Sequence, residues 1–475
     1  MNSYQMDPNV QKNRWWILIS VSMFTFMSTL DGSIVNIALP TMSKDMNVPM
    51  NQAEWIVSIY LMIVCACLLL FGKIGDSIGK IKVYQIGTLI FTFGSLLCGF
   101  NHSLLFLLFA RVVQAIGASM TMATNSGIIT EVFPMNERGR ALGSIGAFVS
   151  LGSIAGPGLG GIILSQFSWP YIFWINVPVG IITMIAGLKF LPKDITMTKQ
   201  KVDKLGFISF AMFIITFFGA IFLGQEEGFI HALPISLFVL AILSFVAFIL
   251  IEKKVRVPMI AFAIFKNKIF TLSLISALVI FSSNFFVNVV IPFYLQKARG
   301  LDPSQAGMLM MIFPLVMVVG SPLSGYLTDK IGPGKLVLTG LTMLSITQLM
   351  YMFMDVSTPI WYYVLATAIM GLGNSLFQSP NNMMVMSSVA KEDLGVASSM
   401  NAFARNLGMV IGIALSTTVL YAAMSQSVGE RVTTYINNRP DVFIDGMRIT
   451  FLGSLLLCLF SLGLSIWRIR KSNKF

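Results

Sequence analysis

One acidic side chain stands deep inside an apolar stretch of this chain: Asp31, nine residues before Pro40. Nearly all of the other Asp and Glu residues fall in polar segments or at the ends of apolar ones. A carboxylate at membrane depth is costly and marks a functional position. A carboxyl group that takes up and gives off a proton is also what proton-coupled work needs. The plainer alternative is a structural carboxylate fixed by a neighbouring hydrogen bond. A basic partner is available in Arg111, seven residues or roughly 10 Å past Leu104 in another apolar stretch. The two charges then lie at similar depth. Asp31 is expected to pair with Arg111 in one state and to hold a proton or a cationic substrate in another. In the opposing reading Arg111 bonds only to backbone carbonyls.

Other polar groups inside apolar stretches form a candidate substrate cavity: Asn36, Glu54, Tyr60, Gln114, Asn284, Asn288, Gln378 and Arg405. Glu54 stands beside Trp55 at a helix start, where the dipole favours an acid whether or not it borders a cavity. Arg405 has no acidic partner in its own stretch, and snorkelling toward the surface is its alternative to function. The second half is rich in amides, Met and Phe, an adaptable lining for varied amphipathic compounds, although most Met and Phe of such a chain pack or face lipid. No metal site is expected. Cys65 and Cys67 point to different helix faces, Cys98 and Cys458 lie alone in apolar stretches, and His102 and His231 have no ligands clustered around them.

These residues must be positioned by membrane helices. Hydrophobic residues make up 56% of the chain and charged ones 11%, against roughly a quarter charged in soluble domains. The apolar residues come in blocks of around twenty, each long enough to cross a bilayer. In lipid every backbone donor and acceptor must be satisfied within its own segment, so the blocks are helices. Fourteen are expected, from 15–38 to 449–467, giving an all-α integral membrane fold. The net charge of +12 does not point to nucleic acid. With the N-terminus inside, about 24 of the 32 Lys and Arg fall in cytoplasmic segments. Both termini are then inside, and helix one, preceded by Lys12 and Arg14, reads as an uncleaved anchor.

Loops are short, leaving no room for a soluble catalytic domain, and the one long outer loop is expected at 423–447, carrying Arg431, Arg439 and Asp441. Basic linkers set off helices seven and eight, dividing the chain into a six-helix bundle (1–190), a two-helix insertion (191–268) and a second six-helix bundle (269–475). A repeat supports this division. Gly72-Lys-Ile-Gly75-Asp76-Ser-Ile-Gly79-Lys80 follows the second helix of one half, and Gly325-Tyr-Leu-Thr-Asp329-Lys-Ile-Gly332 follows the second helix of the other. Such repeats mark secondary transporters, whose substrate sites lie between the halves near the midplane. Asp76 and Asp329 can cap a helix start or pair with a base and so latch the halves, unless the loops are simply tight turns that need glycine. In helix five Gly152, Gly156 and Gly160 recur every four residues, with Pro157 and Gly161 beside them. That spacing makes a smooth face for a close, bendable helix contact.

With these motifs the chain resembles the major facilitator superfamily, and within it the fourteen-helix drug:proton antiporter branch. The Asp76 loop is similar to the superfamily's loop between helices two and three, with Ser77 in place of its first basic residue. Arg111-Val-Val-Gln114-Ala115 is similar to its helix-four motif, with alanine in place of glycine. Gly152-Ser-Ile-Ala-Gly156-Pro157-Gly-Leu-Gly160-Gly161 is similar to its antiporter motif. Leu30-Asp31-Gly-Ser-Ile-Val-Asn36-Ile-Ala-Leu-Pro40 and Trp169-Pro-Tyr-Ile-Phe173-Trp-Ile-Asn176 resemble runs of the fourteen-helix branch, Pro170 standing where arginine is common. The resemblance implies a proton-driven exporter of small amphipathic, in part cationic, compounds in a bacterial cell membrane. It would act by alternating access as a monomer, with no cofactor and no nucleic-acid partner. No Gly-rich phosphate loop with its Lys is present to suggest ATP. A lipid, fatty acid, siderophore or metabolite is the alternative cargo, and a sensor that no longer transports is the reading from another class.

Overall fold

The computed structural model of the chain describes residues 4–100, 103–195, 203–260, 262–430, 432, 436 and 439–472. Its long helices are α1 (Pro8–Asp45), α2 (Trp55–Ile78), α3 (Lys80–Cys98), α4 (Leu104–Val132), α5 (Arg138–Gln166) and α6 (Tyr171–Phe190), followed by α7 (Lys204–Glu227) and α8 (Ala232–Lys254). Then come α9 (Lys268–Phe293), α10 (Ile312–Ile331), α11 (Pro333–Met352), α12 (Ile360–Ser387), α13 (Leu394–Val428) and α14 (Pro440–Ser472). Among the described residues, thirteen spans are long and apolar enough to cross a bilayer. The exception is α11, equally long in structure but diluted by Thr339, Thr342, Thr347 and Gln348. It packs between α12 and α14 like its neighbours.

Several helices outrun the apolar stretches that announce them, because caps and not hydropathy fix their ends. Asp7 accepts from the backbone N–H groups of Asn9 (2.9 Å) and Val10 (3.4 Å), and Pro8 opens α1. The helix therefore begins well before the expected 15 and continues through Pro40 to Asp45. Likewise α13 runs to Val428 and α14 starts at Pro440, so the outer connection is shorter than 423–447. Arg439 and Asp441 form an exposed ion pair there (2.9 Å). Arg431 and His102 lie outside the described residues.

With an even number of crossings both termini emerge on one face, called here the terminal face. Each half is knit internally, α1 on α5 and α3 on α4 in the first, α9 on α13 and α11 on α12 in the second. The halves meet where α5 packs on α10 and α12, and where α13 packs on α2 and α4. The added helix α7 packs on α8 and lies against α2 and α13. That contact is aromatic, with Phe210 on Phe403 (5.4 Å between rings) and Phe222 on Trp55 (6.0 Å). The outer helix α8 turns a row of Ile, Leu and Val outward.

Candidate functional site

In α1, Asp31 is fully buried and carries three hydrogen bonds. Its Oδ2 accepts from Arg111 Nη1 (2.7 Å), and its Oδ1 accepts from Gln114 Nε2 (2.9 Å) and Asn176 Nδ2 (2.8 Å). Arg111 and Gln114 are three residues apart on α4, hence on one helix face; Asn176 reaches in from α6. Arg111 also donates Nη1 to Gln114 Oε1 (2.5 Å) and Nε to the Ile56 carbonyl (3.0 Å). Its guanidinium lies 4.4 Å from the ring centroid of Tyr60, whose hydroxyl is 3.4 Å from Ser28 Oγ. Ser95 Oγ accepts a further bond from Gln114 (2.8 Å). Two buried charges are tolerated only when paired and hydrogen-bonded in this way. One oxygen stays unmatched: Asn176 Oδ1 is buried with no hydrogen-bond partner among the described residues.

The glycine face of α5 lies directly on the α1 segment that carries Asp31. A methyl group at Gly152 would come 2.6 Å from the Phe26 carbonyl oxygen and 3.1 Å from the Leu30 nitrogen. Gly156 meets Ser33 and Gly160 meets Ile34, whereas Gly161 has nothing within 4 Å and is not part of the contact. Pro157 lies within α5, which runs through it as one helix.

At the terminal face the duplicated loops reach across to the opposite half. Asp76 accepts from the backbone N–H groups of Gly395 (2.8 Å) and Val396 (2.9 Å), capping the start of α13. Asp329 accepts from Gly139 (2.7 Å) and Arg140 (2.8 Å), capping the start of α5. Both accommodate charge where unpaired helix N–H groups and the dipole favour it. Lys80 pairs with Asp76 (2.8 Å) and with Glu131 at the end of α4 (2.9 Å), all three buried. Gly72 packs on Gly395 and Gly75 on Thr124. Gly79 and Gly332 have φ of 111° and 82°, a region open to glycine, so each loop is a glycine-dependent turn as well as a cap on the opposite half. Nearby, burial pushes the Tyr4 hydroxyl up from its ordinary pKa, keeping it a donor to the Lys193 carbonyl (3.0 Å).

A cavity opens between the halves above this seal, lined by α5, α9, α10, α12 and α13. Of the sequence-selected cavity residues, Gln378 and Arg405 line it. Tyr60 and Gln114 belong instead to the Asp31 network. Asn284 is engaged by Asn374 in a reciprocal amide pair (2.6 and 3.1 Å), with Gln378 donating weakly to Asn374 (3.4 Å). Asn288 is exposed and donates to the Asn284 carbonyl (3.1 Å). Asn36 and Glu54 are exposed and outside the cavity. Five residues beyond Asp31, Asn36 is carried by the helical turn to another side of α1.

Asn176 and Glu131 were not selected as site residues from the sequence. The signals for Asn176 are an amide inside an apolar helix and its place at the end of the run from Trp169, and Glu131 reads as a helix-end acid until Lys80 is placed beside it.

Two six-helix bundles joined through duplicated loops, with a buried ion pair and a central cavity, define a multi-pass membrane transporter. The chain belongs to the major facilitator superfamily, whose sequence profile matches residues 21–413. It is 34% identical to the riboflavin transporter RibZ of Clostridioides difficile, over 98% of this chain and 99% of that one. It is 28% identical to the multidrug transporter protein MdtP of Bacillus subtilis, over 90% and 80% of the two chains. It is also 28% identical to the multidrug resistance protein Stp of Mycobacterium tuberculosis, over 86% and 76%. The fold matches that of the human organic anion transporter MFSD10, with a TM-score of 0.66 at 13% identity over 97% and 100% of the chains.

Proposed function

We propose that the chain is a proton-coupled exporter of amphipathic compounds, working by alternating access in a bacterial cell membrane, with both termini in the cytoplasm. It is driven by the proton gradient, without a cofactor, and acts as a monomer. The observation that carries this reading is the fully buried Asp31 held by Arg111. Protonation of Asp31 removes the charge that Arg111 compensates and supplies an O–H that needs an acceptor. A flip of the Asn176 amide would turn its unmatched oxygen to that proton. The change bears on α1, against which the glycine face of α5 is packed. The same α5 lines the cavity and is capped by Asp329, so one helix touches the proton site, the substrate space and the latch.

The testing experiment is dye efflux from drug-sensitive cells expressing wild type or Asp31→Asn, with and without an uncoupler. Proton coupling predicts that both treatments stop efflux; efflux indifferent to both would remove the reading. A second cargo reading has its own support in the similarity to a riboflavin transporter along nearly the whole chain. In that reading a flavin-like metabolite is carried, and excess riboflavin competes with the dye.

A further inference from the structure

Among the described residues, the one charged side chain lining the cavity is Arg405. It stands eleven residues into α13, about 16 Å along the helix and so near the midplane of a roughly 30 Å hydrocarbon layer. No carboxylate lies within 4 Å of it among the described residues, and no hydrogen bond of its guanidinium is recorded there. The acids of the interior are otherwise engaged. Asp31 is matched by Arg111, while Asp76 and Glu131 share Lys80 at the terminal face. Asp76 caps α13 about ten residues, or roughly 15 Å, from Arg405. Snorkelling would draw a surplus arginine to a helix end, yet this one lies beside the Phe281 ring, 6.0 Å from its centroid, and lines the cavity. An unpaired cation at membrane depth is a binding group by default.

We propose that this cavity, small in the conformation described and widened as the halves part, receives amphipathic organic anions, the anionic group on the Arg405 guanidinium and the ring system against Phe281 and Phe377. A guanidinium suits a carboxylate, sulfonate or similar planar oxyanion through two parallel hydrogen bonds. Neighbouring amides extend the site. Asn401 donates to Asn382 (2.8 Å), and the buried Asn381 Oδ1 has no partner among the described residues, so a cargo that also carries an N–H or O–H donor is served. This charge balance runs against a cationic cargo, because a cation would meet Arg405 with no carboxylate beside it. The inference names the cargo of the exporter proposed above and rests on that reading for transport, but binding is independent of it.

The test is binding to purified protein in nanodiscs, by fluorescence anisotropy, of carboxyfluorescein and of ethidium. Wild type is expected to bind the anion and to disfavour the cation, a comparison that needs no variant. Arg405→Gln should weaken anion binding by about 10-fold to 150-fold, Arg405→Lys should recover much of it, and ethidium binding should not fall in either. Wild type that prefers ethidium, or that binds neither dye, overturns the proposal, as does an Arg405→Gln protein that binds carboxyfluorescein like wild type. Proteoliposomes separate the two readings. Anion binding without proton-driven flux removes the exporter reading and keeps this one, whereas flux of ethidium alone does the reverse.

Discussion

Asp31 Oδ2 and Arg111 Nη1 stand 2.7 Å apart, on α1 and α4, with both side chains essentially sealed from solvent. The pair is stable only as a pair, because removing one charge strands the other in a low-dielectric site.

Arg111→Ala is therefore expected to lower stability by about 3–5 kcal/mol. The double variant Asp31→Asn/Arg111→Gln should regain part of that loss, since neither charge is left alone. Thermal unfolding of the purified variants gives the comparison; additive losses in the double variant would mean that the pair is not the stabilising unit. An Arg111→Ala protein with full proton-coupled transport would end the coupling role.

Substrate affinity should depend on pH in wild type by about 5-fold to 150-fold, the usual span of coupling between two sites. Asp31→Asn should flatten that dependence while leaving exchange of substrate across the membrane intact. Counterflow in proteoliposomes at two pH values measures both properties, and a variant as pH-dependent as wild type would exclude Asp31 as the coupling group.

Loss of a helix cap costs about 0.5–2 kcal/mol. Asp329→Ala, which uncaps α5, should thus shift the seal at the terminal face toward opening by about 2-fold to 30-fold. Ser321, buried between α5 and α10 beside Gly143, reports this if replaced by cysteine. Its rate of maleimide labelling should rise in the Asp329→Ala background, and an unchanged rate would show that the cap does not hold the seal.

Two glycines of the same motif should answer oppositely. At Gly152 an added methyl meets the Phe26 carbonyl at 2.6 Å, whereas at Gly161 it meets nothing. Gly152→Ala is expected to cost about 1–3 kcal/mol by overpacking and to depress transport, while Gly161→Ala behaves as wild type. Melting temperature and initial uptake rate, measured together, check the contrast.

Much of this architecture is legible in the residues because membrane burial leaves few choices. The apolar blocks had to be helices, and Asp31 and Arg111 could be matched by depth alone. The repeat around Asp76 and Asp329 foretold two related halves, yet only the fold shows that each carboxylate caps a helix of the other half. The cavity was the least legible part. Tyr60, Gln114 and Asn284 look like lining residues when read as polar groups in apolar helices, because sequence gives their depth but not their azimuth. The same limit hid Asn176, which joins Asp31 from a helix 145 residues away. In α11 the weak hydropathy comes from side chains such as Thr347, whose hydroxyl donates to the Met343 carbonyl of its own helix (2.9 Å). A polar residue so satisfied can still lie in a membrane helix.

The phenylalanine contact between α7 and the α2–α13 seam sets the two flanks of the molecule apart. Apart from one hydrogen bond among the described residues, Gln225 Nε2 to Thr417 Oγ1 (3.1 Å), the contact is ring-on-ring packing without directional bonds. At the cost of that bond α2 and α13 can shift beneath α7 while it stays seated, as a bearing does. Among the described residues no added helix covers the α5–α10 seam in the same way. The surrounding lipid therefore meets a padded joint on one flank and a bare one on the other.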